Sequence, residues 1–153
     1  MGSLNFTIRP IIHSVVFPAV IGLVGMQFGC DTVRSWETRP TSMTSASDVP
    51  ASEGTVKATL GANGNTNLYV RVKHLAPAFK VRPDATVYIV WLQRPGEAIQ
   101  NIGALTLTDN LEGNLNTETP YRRFTITITP EPNRQVEQPT HEPVFKSEVT
   151  RDG

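Results

Sequence analysis

The sequence contains one cysteine, Cys30, so no disulfide can form within the chain, and packing alone must stabilise what folds. It also lacks an excess of either charge, with 14 Lys and Arg against 14 Asp and Glu. Nucleic-acid binders concentrate positive charge, and that footprint is missing. So are Gly-x-Ser-x-Gly, a phosphate loop and a dinucleotide fingerprint; Gly61-Ala62-Asn63-Gly64 precedes a strand pattern and reads as a turn. The serines gather in Thr41 to Glu53, where no scaffold would position a nucleophile. These absences argue against an enzyme and imply no cofactor and no nucleic-acid partner.

What the sequence does have is Pro10 to Gly29, PIIHSVVFPAVIGLVGMQFG, an uncharged and mostly apolar run ending at Cys30. At about 1.5 Å per residue such a run is long enough, as a helix, to span the roughly 30 Å core of a bilayer. Residues 10–29 are therefore expected to form a transmembrane helix or signal anchor behind a short cytoplasmic N-terminus, residues 1–9. Pro18 removes a backbone donor, and Ala19, Gly22, Gly25 and Gly29 form a small-residue ladder suited to helix packing. Arg9 precedes the run with no acidic residue beside it, which places the N-terminus in the cytoplasm and the rest in the periplasm. His13 lies in this run, where an ionisable residue raises the possibility of a haem or chlorin ligand. Its position four residues after Arg9 favours an ordinary interfacial histidine. Gly29-Cys30 also resembles the end of a bacterial lipoprotein signal, in which the cysteine is lipidated. Gln27 and Phe28 stand where such signals usually carry Leu and then Ala or Ser.

Beyond Cys30 the composition changes. Arg9 is the only charged residue before Asp31, so the remainder has 13 basic and 14 acidic residues. Residues 30–53 are read as a flexible linker, because Thr41 to Glu53 is rich in Ser, Thr, Ala and Pro. Residues 54–149 alternate repeatedly between apolar and polar, and 150–153 form a polar end. Seven strands are expected: Thr55 to Leu60, Asn67 to His74, Ala85 to Gln93, Asn101 to Thr108, Gly113 to Thr117, Arg122 to Thr129 and Pro143 to Val149. Leu75 to Asp84, with Pro77 and Pro83, is expected as an ordered loop or bent edge. With no helical pattern after residue 31, the fold class is an all-β, Ig-like antiparallel β-sandwich behind one transmembrane helix. Leu68, Val70, Val72, Tyr88 or Ile89, Val90, Leu92, Phe124, Ile126 and Ile128 would form its core.

Tyr88-Ile89-Val90-Trp91-Leu92, Ile102-Gly103-Ala104-Leu105 and the run from Phe124 through Pro130-Glu131-Pro132, with Pro139-Thr140 after it, resemble the C-terminal extracytoplasmic domain of the anti-sigma-K factor family. The resemblance spans roughly residues 55 to 149 and implies an Ig-like sandwich displayed outside a membrane. It implies no catalytic residues. Only nine residues precede Pro10, so no sigma-binding domain comes with it.

Candidate contacts come from the residues themselves. Arg71, Lys73, Lys80 and Arg82 form a local basic concentration beside Tyr69, suited to an acidic partner. Trp91 has the opposite parity to Val90, so it is a contact candidate if it faces outward. His74 and His141 lack metal-ligand neighbours and read as loop histidines, and Glu131, Glu137 and Glu142 are too sparse for a cation site. The resulting expectation is a noncatalytic accessory or structural subunit of a larger membrane complex, with a respiratory or photosynthetic assembly as one host class. Its partners would be other subunits and the lipid bilayer. The alternative is a free envelope lipoprotein, lipidated at Cys30, with a ligand-binding or sensing domain.

Overall fold

Alternation sends Leu68, Val70 and Val72 to one side of a pleated strand and Tyr69, Arg71 and Lys73 to the other. The computed structural model describes residues 39–151 and places this segment in β3, Thr66–Lys73. The other strands are β1 (Thr41–Ser45), β2 (Glu53–Leu60), β4 (Val87–Gln93), β5 (Gln100–Leu107), β6 (Gly113–Thr119), β7 (Arg123–Glu131) and β8 (Phe145–Thr150). One helical turn, α1 (Ala78–Val81), stands between β3 and β4.

Neighbouring strands are antiparallel in the order β1-β2-β3-β6-β5-β4-β7-β8, and β8 pairs back to β1. The described chain is thus a closed eight-stranded barrel, which replaces the expected seven-stranded Ig-like sandwich. The physical reason is that two strands change partners partway along. β1 pairs with β2 through Thr41, Ser42 and Met43, then with β8 through Thr44 and Ser45. β5 pairs with β4 from Gln100 to Leu105, then with β6 through Thr106 and Leu107. These corners join a first sheet (β2, β3, β6) to a second (β4, β7, β8), where a sandwich would leave edge strands unpaired.

The expected transmembrane helix, with His13, Ala19, Gly22, Gly25, Gly29 and the neighbouring Cys30, lies outside the described residues. Among the described residues no helix is long and apolar enough to cross a membrane. For the described residues the fold class is corrected from a sandwich to a closed barrel. A second correction concerns the linker: Thr41–Ser45 is β1, and Val49 is buried beyond it. Met43 supplies the strand's single buried side chain, while its Ser and Thr neighbours stay outside the core. The Leu75 to Asp84 segment, expected without helix, contains α1, whose Ala78 is buried.

Inside the barrel, Leu68, Val70 and Val72 meet Tyr88, Val90, Leu92, Phe124, Ile126 and Ile128. Each large side chain removed from water contributes roughly 1.5–3 kcal/mol. The Tyr88 hydroxyl donates to the carbonyl of Ala76 (2.8 Å), and burial pushes the phenol above its ordinary titration range. The register between β4 and β5 slips by one residue: Val90 faces Gly103, and Trp91 faces Asn101. Ile102 is the extra residue of this bulge. Gly103 takes a φ of 141°, and a Cβ there would lie 2.9 Å from Leu115 Cδ1. The β2–β3 hairpin turns through Gly64 at a φ of 82°, with the Asn65 N–H donating to Asn63 Oδ1 (3.0 Å).

Candidate functional site

The two sheets present very different outer faces. On the first, register places Lys57, Tyr69 and Asn116 in one row and Thr55, Arg71 and Asn114 in the next. Tyr69 is 43% exposed on the central strand of this face. Beside it lies a shallow depression of about 240 Å³ lined by Asn67, Tyr69, Asn116, Thr117 and Glu118. Arg71 Nη2 donates to Glu112 Oε2 (2.9 Å), and that bond holds the Glu112 carboxyl below its ordinary titration range. Lys73 faces Glu53 across the ladder.

The basic concentration seen in the sequence is therefore divided and partly neutralised. Tyr69, Arg71 and Lys73 share the first sheet's outer face. Lys80 belongs to α1, where its ammonium lies 5.4 Å from the centre of the Phe79 ring. Arg82 comes just after α1 and donates to Asp48 Oδ2 (2.9 Å).

Trp91 does face outward, yet it is fully buried, which corrects its reading as a contact residue. Ile89, Thr129 and Glu131 are also fully buried on this side of the second sheet. The segment 132–144, between β7 and β8, is tied to the sheet's flank by Asn101 Nδ2, which donates to the carbonyls of Arg134 (3.1 Å) and Val136 (3.0 Å). The same segment brings Thr140 onto Glu131.

A hydrogen-bonded chain runs through this covered layer. Trp91 Nε1 donates to Thr129 Oγ1 (2.7 Å), and the Thr129 hydroxyl donates to Glu131 Oε1 (2.5 Å). The Thr140 N–H donates to both Glu131 oxygens (3.0 and 3.2 Å), and the Thr140 hydroxyl donates to Oε2. His141 ends this hydrogen-bonded chain, with Nδ1 3.0 Å from Thr140 Oγ1 and Nε2 3.1 Å from Asp84 Oδ1. The ring thus sits between the carboxylates of Glu131 and Asp84. From the sequence, Glu131 is weighed only with Glu137 and Glu142 as too sparse for a cation site, and His141 reads as a loop histidine. The signal present in the sequence was that Trp91 and Glu131 share the parity that points away from the core.

The third feature is a cleft at the β5 corner. β5 leaves β4 after Leu105 to join β6, so Val87 has no β5 partner, and the wall parts there. The opening is a cleft of about 510 Å³ lined in part by Phe79, Thr86, Tyr88, Leu107 and Arg134. Phe79 is 55% exposed. A smaller cleft of about 420 Å³ sits at the β1 corner, beside Ser45 and Phe145. Among the described residues no cluster of three or more His, Cys, Asp or Glu has a metal-holding arrangement. In comparisons with known proteins, no family model, curated protein or solved structure matches this chain.

Proposed function

We propose that this protein is a noncatalytic accessory subunit of a larger assembly on the outer side of the cytoplasmic membrane, docking through the open face of its first sheet. The observation that supports this reading is Tyr69, exposed at the centre of a ladder paired on both sides by β2 and β6. A sheet fixes alternate side chains about 7 Å apart, so Tyr69, Arg71 and Lys73 form a preset row that loses little entropy on docking. Tyr and Arg are favoured interface anchors. Since Glu112 already pairs with Arg71, the matching surface is polar and centred on Tyr69 rather than strongly acidic. The test is co-purification of the full chain from native membranes. Tyr69→Ala together with Lys73→Glu should release the partner while the barrel stays folded; unchanged retention excludes this face.

A second reading, a free envelope lipoprotein acylated at Cys30 with a ligand-binding barrel, draws support from the cleft at the β5 corner. The mass of the native N-terminus separates the two. An intact leader favours the subunit, and a lipid-modified Cys30 favours the lipoprotein.

A further inference from the structure

The cleft at the β5 corner has an apolar side and a cationic end. Its volume of about 510 Å³ falls within the range of roughly 300–1,000 Å³ typical of small-molecule sites. Val87, Leu107 and the exposed ring of Phe79 offer an apolar surface. At the other end Arg134 forms no ion pair among the described residues, and its guanidinium makes one hydrogen bond, from Nη2 to Thr106 Oγ1 (3.1 Å). Asn133, Gln135 and Thr86 add polar groups nearby.

This arrangement is held in place before any ligand arrives. Asn101 fixes the main chain of Arg134 by donating to its carbonyl, and Asn133 Oδ1 accepts from the Gln135 N–H (2.9 Å). The β4–β7 pairing runs on into the cleft, where the Thr86 hydroxyl donates to the carbonyl of Pro132 (2.7 Å) and the Thr86 N–H to the carbonyl of Glu131 (2.8 Å). The segment bearing Arg134 is thus tied to Thr86 at the start of β4, and both lead back to the buried Glu131. Preorganisation of this kind lowers the ordering cost of binding.

We propose that the cleft binds a small organic acid, a single carboxylate on an apolar or aromatic tail. The carboxylate pairs with Arg134, and the tail lies over Val87 and Leu107 toward Phe79. A guanidinium fork matches the planar carboxylate in two parallel hydrogen bonds. One cation flanked by neutral amides and hydroxyls suits a single negative charge better than a phosphate dianion. The proposal deepens the ligand-binding reading and is independent of docking through Tyr69.

Titration of the full-length chain with 4-phenylbutyrate and with 4-phenylbutanol, monitored by amide NMR, tests it. The acid should shift the amides of Thr86, Val87, Thr106 and Arg134 saturably, and should bind about fivefold or more tightly than the alcohol at low salt. Arg134→Gln, a change at an exposed side chain, should bring the two probes to within about twofold of each other. Phe79→Ala should weaken both. Equal affinity for acid and alcohol in the unaltered chain, or an acid preference that survives Arg134→Gln, overturns the organic-acid assignment and leaves the ligand-binding reading standing. Failure of both probes to shift those amides overturns both.

Discussion

The barrel's two outer faces begin from similar alternating strands and end in opposite states. β3 displays Tyr69, Arg71 and Lys73 to solvent or across-strand partners, whereas β4 and β7 lose Ile89, Trp91, Thr129 and Glu131 to a second, covered layer. The difference lies in where the chain goes as it leaves each strand. β3 enters the loop that carries α1, while β7 enters the thirteen-residue, proline-containing segment 132–144, which returns across its own sheet. Burying polar groups is tolerable there because each finds a partner, and an unpartnered one would cost about 1–3 kcal/mol. The open face carries no second layer, and there Asn67 Oδ1 is buried without a hydrogen-bond partner among the described residues.

The contrast predicts a graded series of effects. Glu131→Ala should be the most damaging, because it strands the buried Thr129 hydroxyl and releases the Thr140 N–H and hydroxyl that hold segment 132–144 at the layer's edge. A loss of about 3 kcal/mol in chemical denaturation is expected. A loss below about 0.5 kcal/mol would mean that the covered layer is held by packing alone. Trp91→Phe keeps most of the ring but removes the donor to Thr129, and about 1.5 kcal/mol should go in the same measurement. Tyr69→Ala, on the open face, should stay within about 0.5 kcal/mol of the unaltered chain while weakening partner retention.

The smallest effect concerns Glu112. Its carboxyl is held low first by the hydrogen bond from Arg71, with the charges of Arg71, Lys73 and His74 adding to the pull. A depressed carboxyl contributes stability above its unfolded pKa, and that contribution is lost as pH falls through the folded value. Arg71→Met should therefore move the Glu112 titration upward in an NMR pH series. Any stability difference between the two chains should be present near neutral pH and absent in acid. An unmoved titration would show that the ion pair does not persist in solution.

Much of the barrel wall was legible because alternation is a local property. Leu68, Val70, Val72, Val90, Leu92, Phe124, Ile126 and Ile128 all lie in the observed core, and of Tyr88 and Ile89 it is Tyr88 that joins them; Met43, Leu105, Phe145 and Val149 enter it unannounced. β1 was hidden because Thr-Ser-Met-Thr-Ser has one apolar residue, and its burial depends on Gly54 and Phe145 from elsewhere. Closure was hidden for a similar reason: nothing in the side-chain pattern marks where β5 exchanges β4 for β6. Gly103 was the nearest sign, a glycine inside a strand where the register slips. For the candidate sites, Tyr69, Arg71 and Lys73 could be grouped from one strand's parity. The cleft draws Phe79, Thr86, Leu107 and Arg134 from separate segments, and no local pattern brings them together.

The split pairing of β1 also sets an order of assembly. Ser45 meets Phe145, so the barrel's final seam joins parts of the chain that are far apart in sequence. A chain emerging N-terminus first can form the β2–β3 hairpin early, but it holds a β-sheet with an unsealed edge until β8 has been delivered. During that interval β1 and β2 are the surfaces most exposed to wrong partners. The Ser- and Thr-rich character of β1, which conceals it as a strand, keeps that waiting edge polar.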